Sequence, residues 1–467
     1  MGVSHSDRNG PSATAERELD LSAAIERARR SEFYAKHLAG QAVTSRADLQ
    51  NLPLTFKHHL CDASPFGMLA VPPATAWHYH ESSGTTGEPI STWCGLSELR
   101  GMADLLLRMV PELSEETIFL NRFPLFAPVS FVFEEALRLA GACHLAAGNM
   151  TWDVPFDRVV GFIRKLGVTA LGGLPLEPVL LREVALAQGL DLQRDLGSLR
   201  VIFCGGAVLP PALRRVVEQD WGARVVEIYG SNETMGLGLS CVRGRLHLCT
   251  SLVEVEILDP HTYQPVVPGE PGILTVTSLV HEVMPLVRYV TGDLVRVHAV
   301  PCECGQPGPT AEVLGRFDDV IELAGGRTTH YEILDAAYEI ADRLGTRIFF
   351  VLVRRGCLHF LLEVDDPDTA RATGAERDLA ARLGVPVVVE CLGRNEVLDR
   401  TAMFRAPKIY KPSLITDWRG EGRKPITVME ALLEWPTFDW RTLAGIARRE
   451  VRNRRRRRRL LRADAAR

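Results

Sequence analysis

From Glu98 onward, short apolar runs alternate with helical patterns such as Phe156 to Leu166 and Pro211 to Asp220. That change of hydrophobic period limits the chain to an α/β architecture. Val201 to Cys204 reads as an apolar strand, Arg224 to Ile228 as a β-rich run, and Val253 to Leu258 and Gly272 to Thr277 as further strands. Ahead of them, Leu19 to Ala39 reads as helical. Past Gly315, Tyr331 to Leu344 reads as a helix, with Arg347 to Val353 and Leu358 to Val364 as strands packing on it, a small α+β unit. A chain of 467 residues, 46% hydrophobic and 24% charged, is long enough for one large domain and one small one.

Ser82-Ser83-Gly84-Thr85-Thr86-Gly87-Glu88-Pro89 gathers small hydroxyl residues and glycines into one loop, between an extended segment and an expected helix. Glycine permits positive φ and close backbone approach, so successive N–H groups converge on one anion, and the Ser and Thr hydroxyls add donors without bulk. The loop suits a phosphate chain. It is not a Walker loop, because the spacing and the lysine of that motif are absent.

Four further segments follow. Gly205-Gly206-Ala207-Val208 ends the apolar strand, where ligands bind in open α/β sheets. Tyr229-Gly230-Ser231-Asn232-Glu233-Thr234 supplies a carboxylate, the hard oxygen ligand that Mg²⁺ takes beside a triphosphate. Tyr289-Val290-Thr291-Gly292-Asp293-Leu294 supplies a second carboxylate, an acceptor-only group able to take two hydroxyl donors at once. Gly315-Arg316-Phe317-Asp318-Asp319-Val320-Ile321 adds a cation at the end of a β-type run.

In this order, and preceded by Arg30 to Tyr34, Leu52-Pro53-Leu54-Thr55-Phe56-Lys57 and Pro65-Phe66-Gly67, these segments resemble the adenylate-forming superfamily of acyl-CoA synthetases, adenylation domains and luciferases. The branch they match best is that of the phenylacetate-CoA ligases. The resemblance implies a large multi-layer ATP- and acyl-binding domain at residues 19–315 and a small mobile α+β lid at 316–451. A disordered N-terminus at 1–18 and an arginine-rich tail at 452–467 flank them.

It further implies that Ser82, Ser83, Gly84, Thr85, Thr86 and Gly87 hold the phosphates, with Thr85 also serving catalysis. Gly206 and Ala207 would lie against the adenine, with Tyr229 stacking on it beside Gly230 and Ser231. Glu233 would bind Mg²⁺ and act in catalysis, Asp293 would accept from the ribose hydroxyls, and Arg316 would reach ribose or phosphate. Asp318 sits at the hinge position. Gly292 stands where the phenylacetate branch is expected to carry arginine. In Pro407-Lys408-Ile409-Tyr410-Lys411-Pro412, Lys408 is the first choice and Lys411 the second for a lysine bridging carboxylate and α-phosphate.

Phe123 to Phe133 is aromatic and almost free of charge and falls where the family lines its acyl site, so Phe126, Phe131 and Phe133 are the candidate substrate-binding rings. An ammonium group would need a buried acid there, and an apolar or aromatic carboxylate would not. The expected reaction is ATP-dependent adenylation of such an acid through an acyl-AMP, then transfer to a thiol of CoA or of a carrier protein's pantetheine arm, in a biosynthetic setting. Alternatives are a non-thiol acceptor, activation of a small oxyanion such as nitrite, or a catalytically degenerate nucleotide-binding protein.

Cys302-Glu303-Cys304, together with Cys241 and His247 on a hairpin-like stretch, offers four N and S ligands for tetrahedral structural Zn²⁺, with Cys249 as a substitute. Related ligases carry a similar set. Ten cysteines without secretory features read as reduced thiols plus one metal site. A net charge of -4 argues against a nucleic-acid partner, although Arg452 to Arg459 places seven arginines in eight residues. No membrane span or signal-peptide core is seen, so the expected location is cytoplasmic, with a homodimer as an expected assembly.

Overall fold

A computed structural model of the chain describes residues 21–41, 43, 46–82, 89–148, 154–368, 374–398, 400 and 413–419. The expected single helix over Leu19 to Ala39 is two, Leu21–Ala28 and Glu32–His37. Ser31 makes the break: its extended backbone leaves the first helix, and its hydroxyl accepts from the Tyr34 N–H to cap the second.

Thirteen strands follow: β1 (His78–Glu81), β2 (Ser91–Cys94), β3 (Ile118–Asn121), β4 (Cys143–Ala146), β5 (Ala170–Gly173), β6 (Val201–Gly205), β7 (Arg224–Ser231), β8 (Met235–Ser240), β9 (Leu246–Leu248), β10 (Val253–Leu258), β11 (Pro271–Ser278), β12 (Tyr289–Val297) and β13 (Thr310–Arg316). The last eleven form one sheet in the order β10-β11-β12-β13-β9-β8-β7-β6-β5-β3-β4. From β4 to β7 all pairings are parallel, and from β7 to β10 all are antiparallel.

Alternation along the strands divides the core. In β6, Val201 and Phe203 join the cluster under helices Leu96–Met109 and Pro128–Ala140, while Ile202 and Cys204 join the one under Phe156–Leu166, Glu177–Ala187 and Pro211–Trp221. A strand apolar on consecutive residues is thereby covered on both faces, as parallel strands require.

β1 and β2 pair as a separate antiparallel ribbon, Glu81 opposite Ser91. The hydroxyl-rich loop is therefore followed by a strand, not by the expected helix. Helix Leu96–Met109 begins only after β2.

The N-terminal segment docks through Thr55. Its N–H donates to the Arg288 carbonyl at 2.9 Å, its carbonyl accepts from Val290 at 2.9 Å, and its hydroxyl donates to the Val287 carbonyl at 2.7 Å. Arg288 locks the same joint, bonding both Glu256 oxygens and the carbonyls of Gln50 and Leu52.

Past Arg316 come the hairpin β14 (Ile321–Leu323) and β15 (Gly326–Thr328), helix His330–Arg343, and a second sheet of β16 (Phe349–Val353), β17 (Leu358–Glu363), β18 (Val387–Leu392) and β19 (Ile415–Asp417), ordered β18-β17-β16-β19. Thr329 and Glu332 close a capping box at the start of that helix. This unit rests on helix Pro211–Trp221: Asp335 accepts from the Ala212 N–H at 2.7 Å, and Arg347 forks onto Asp220 at 2.9 and 3.1 Å. Buried Arg400 bridges Glu183 of the large unit and Glu363 of the small one. Among the described residues no helix is long and apolar enough to cross a membrane.

Candidate active site

Parallel pairing changes to antiparallel at β7, and the site lies at the carboxyl ends of β6 and β7, the crevice where open α/β sheets take ligands. β6 ends at Gly205, and Gly206 turns at φ 81 so that exposed Gly206 and Ala207 lie at the sheet edge. Only glycine takes that turn without strain. Gly230 has a different reason: a Cβ there would come within 1.8 Å of the Met235 carbonyl oxygen across the β7–β8 turn.

Asp293 on β12 is held from two sides. The Tyr229 hydroxyl donates to its Oδ2 at 2.7 Å, and Arg316 Nη1, opposite it on β13, donates to Oδ1 at 3.1 Å. Its own N–H donates to Thr291 Oγ1 at 3.1 Å, and that hydroxyl donates to the Leu274 carbonyl. Burial raises the Asp293 carboxyl above its usual value, and the Arg316 charge opposes that rise. Tyr229 is only 8% exposed, and its ring belongs to the core; what it presents to Asp293 is its hydroxyl. Gly292, at φ 79, lies under Arg316, whose Nη2 would be 2.7 Å from an added Cβ.

Glu233 follows the same design. The Tyr289 hydroxyl donates to its Oε1 at 2.9 Å, leaving Oε2 for another partner. A carboxylate fixed by one oxygen is a suitable hard ligand for Mg²⁺. Ser231 and Thr234 exchange hydrogen bonds beneath it. Asn232 Nδ2 reaches the Glu81 carbonyl at 2.9 Å and so fastens the β1–β2 ribbon beside Glu233. Ser82 pairs with Ile90 at the mouth of the loop, its hydroxyl accepting from the Ile90 N–H at 2.8 Å. Ser83, Gly84, Thr85, Thr86 and Gly87 lie outside the described residues, as do Lys408 and Lys411. Exposed Asp318 sits in the 3₁₀ turn Phe317–Asp319, directly after β13.

The candidate acyl rings separate. Helix Pro128–Ala140 runs through them, so residues two apart face nearly opposite ways. Phe131 turns toward the ribbon, 4.0 Å from the His78 ring, and Phe126 stands 55% exposed. Phe133 is fully buried against Phe119, Phe123 and Phe203, which makes it a core ring and corrects its reading as a substrate contact. Tyr289 and Asn232 were quoted within motifs but given no role; their partners lie 56 and 151 residues away, beyond the reach of local spacing.

The Cys and His set comes together. Atoms of Cys241, His247, Cys302 and Cys304 all lie within 4.8 Å of one another, with Cys241 and Cys302 sulfurs 3.8 Å apart. Tetrahedral zinc, with bonds of about 2.3 Å to sulfur, sets sulfurs roughly that far apart. His247 Nδ1 is 3.1 Å from the Pro307 carbonyl, which can only accept, so Nε2 turns its lone pair toward Cys304. N–H groups of Arg243 and Gln306 donate to the sulfurs of Cys241 and Cys304. Hydrogen bonding, first from the Cys304 backbone, lowers the Cys302 thiol to about 7, favouring the thiolate that a metal needs. Cys249 is not part of this four-residue cluster.

With this geometry in place, the likenesses to known proteins can be read. The family model of AMP-binding enzymes matches residues 80–284. A phenylacetate-coenzyme A ligase of Thermus thermophilus is 30% identical over 290 residues, 60% of this chain and 63% of that one. One from Aromatoleum evansii is 28% identical over 304 residues, 63% of this chain and 67% of that one. The chain thus spans a little under two thirds of the Thermus relative. A 2-hydroxyisobutyryl-CoA ligase, crystallised in the postadenylation state in complex with R3-HIB-AMP, shares the fold with a TM-score of 0.74 over 87% of this chain and 90% of that one, at 19% identity. Residues 80–284 thus match AMP-binding enzymes, and the chain shares its fold with the solved ligase. Over the matched stretch the chain is similar to phenylacetate-coenzyme A ligases.

Proposed function

We propose that the protein is an ATP-dependent, AMP-forming ligase that adenylates a hydrophobic or aromatic carboxylic acid and passes the acyl group to the thiol of CoA. The observation that carries this reading is Asp293, a carboxylate gripped by Tyr229 and Arg316 and so fixed in place as an acceptor for a pair of hydroxyls. A carboxylate oxygen of the acid attacks the α-phosphorus of ATP, the bond from that phosphorus to the bridging oxygen breaks, and pyrophosphate leaves. The thiolate then attacks the acyl carbon and AMP departs. Catalysis of both steps is positioning and charge neutralisation. Glu233 would hold Mg²⁺, which supplies charge neutralisation at the phosphates. Lys408, with Lys411 as second choice, would reach the α-phosphate from the segment outside the described residues.

The test is pyrophosphate release with ATP and Mg²⁺ over aryl, fatty and amino acids plus nitrite, with and without CoA. The proposal expects release with aromatic or fatty acids and a thioester only when CoA is added. ATP binding without release across the panel would overturn it.

We also propose a structural zinc at Cys241, His247, Cys302 and Cys304, tying the β8–β9 hairpin to the β12–β13 connection. Its closed donor set supports a structural role. The purified protein is expected to carry one zinc per chain by elemental analysis. Cys302→Ser is expected to lose it and to melt several degrees lower; full zinc retention by the Cys302→Ser, Cys304→Ser double variant would rule the site out.

A further inference from the structure

His80 is unsatisfied in a place where a substrate would satisfy it. It lies in β1 and is 1% exposed, and among the described residues neither ring nitrogen makes a well-formed hydrogen bond, only a loose approach to the Phe126 backbone. A buried donor and acceptor left without partners is disfavoured, so such a group in a native fold calls for a ligand or an ordered water. Its surroundings give a water few polar anchors. The His78 ring lies 5.7 Å away and nearly parallel, Phe131 is 5.5 Å away and Phe126 5.8 Å. A buried water needs two or more polar partners, and beyond the Phe126 backbone this aromatic wall supplies none.

The ring is also neutral. Burial pushes His80 down to about 4, with His78 adding to the fall and the loose hydrogen bond with the Phe126 backbone opposing it. A neutral imidazole offers one N–H and one lone pair. That pairing matches a hydroxyl, which both accepts and donates, better than a carboxylate, which only accepts. The position fits as well. The next residue, Glu81, has its carbonyl held by Asn232 beside Glu233, and the strand leads straight into Ser82. His80 is therefore flanked by aromatic rings and lies two residues ahead of Ser82, where the loop assigned to the phosphates begins.

We propose that His80 is a specificity residue that hydrogen-bonds a neutral polar substituent, a hydroxyl or phenol, on the acid substrate, so that the enzyme prefers a hydroxylated aromatic acid over its unsubstituted parent. This rests on the ligase reading above and adds the substrate class to it. A site built to bond a hydroxyl discriminates against the analogue lacking it, because its own polar group is then left unpaired.

The experiment compares kcat/KM for pyrophosphate release with ring-hydroxylated and unsubstituted phenylacetates and benzoates in the wild-type protein, His80→Phe and His80→Gln. The wild type is expected to favour one hydroxylated acid by about tenfold or more, His80→Phe to bring that ratio to near one, and His80→Gln, which keeps a donor and an acceptor, to retain most of it. The glutamine variant separates recognition from a folding defect. An equal ratio in wild type and His80→Phe, or no preference in the wild type, overturns the inference and leaves the ligase reading intact. Release with no acid at all overturns the ligase reading, and this inference with it.

Discussion

Replacing Asp293 by alanine is expected to raise the KM for ATP by about two orders of magnitude or more, with a smaller fall in kcat. The two charge-assisted hydrogen bonds that the proposed ribose site would make to Asp293, at roughly 1.5–3 kcal/mol each, set the scale, since about 1.4 kcal/mol is tenfold. The ribose is remote from the reacting phosphorus, so its loss falls mainly on binding common to ground and transition states. The substitution also strips the partner from the Tyr229 hydroxyl and from Arg316. Steady-state kinetics with ATP varied at saturating acid measures the effect, and an unchanged KM would remove Asp293 from the nucleotide site. Acid has the same direction of effect. Burial holds the Asp293 carboxyl above its usual value, so as pH falls through that raised value it protonates and ATP binding weakens, beginning at a higher pH than for an exposed carboxylate.

The largest effect on stability is expected from Arg122→Ala. Arg122 and Glu177 are 1% and 5% exposed, paired at 2.6 Å, with a second Arg122 nitrogen on the Val154 carbonyl at 3.0 Å. Removing one partner leaves an uncompensated buried carboxylate, which costs about 3–5 kcal/mol. The exposed pair Lys36–Glu32, with both side chains about three quarters exposed, marks the other extreme, and its loss is expected to leave stability almost unchanged. Urea denaturation of the two alanine variants checks the contrast. The double replacement of Arg122 by Met and Glu177 by Leu should recover much of the loss, because the cost lies in the orphaned charge rather than in the pair itself. Equal midpoints for Arg122→Ala and Lys36→Ala would contradict the reading of the pair as buried.

Local signals in the sequence placed much of this architecture. Helix Phe156–Leu166 and strand Val253–Leu258 fall where their periods put them, and His330–Arg343 starts one residue ahead of the expected Tyr331, at a cap made by Thr329. The Cys and His ligand candidates also come together, because Thr310 pairs with His247 across β13 and β9 and brings the Cys302–Cys304 knuckle onto the hairpin. What stayed hidden depends on long-range pairing. Strand β13 inserts between β12 and β9, an order no local period encodes, and only that order sets Arg316 against Asp293. The bonds from Tyr229 to Asp293 and from Tyr289 to Glu233 follow from it. Phe133, expected from its place in the segment to line the acyl site, is instead enclosed by Phe119, Phe123 and the sequence-distant Phe203, and an aromatic run alone does not encode such packing.

The central claim is that a carboxylate oxygen becomes bonded to the α-phosphorus of ATP. It is tested most directly by incubating the enzyme with ATP, Mg²⁺, CoA and a turned-over acid labelled with ¹⁸O in its carboxylate, then weighing the AMP by mass spectrometry. Adenylation predicts one ¹⁸O in each AMP, carried over when the thiol displaces it from the acyl carbon. Unlabelled AMP, with the ¹⁸O in pyrophosphate or phosphate instead, would contradict the account and place the attack on another phosphorus.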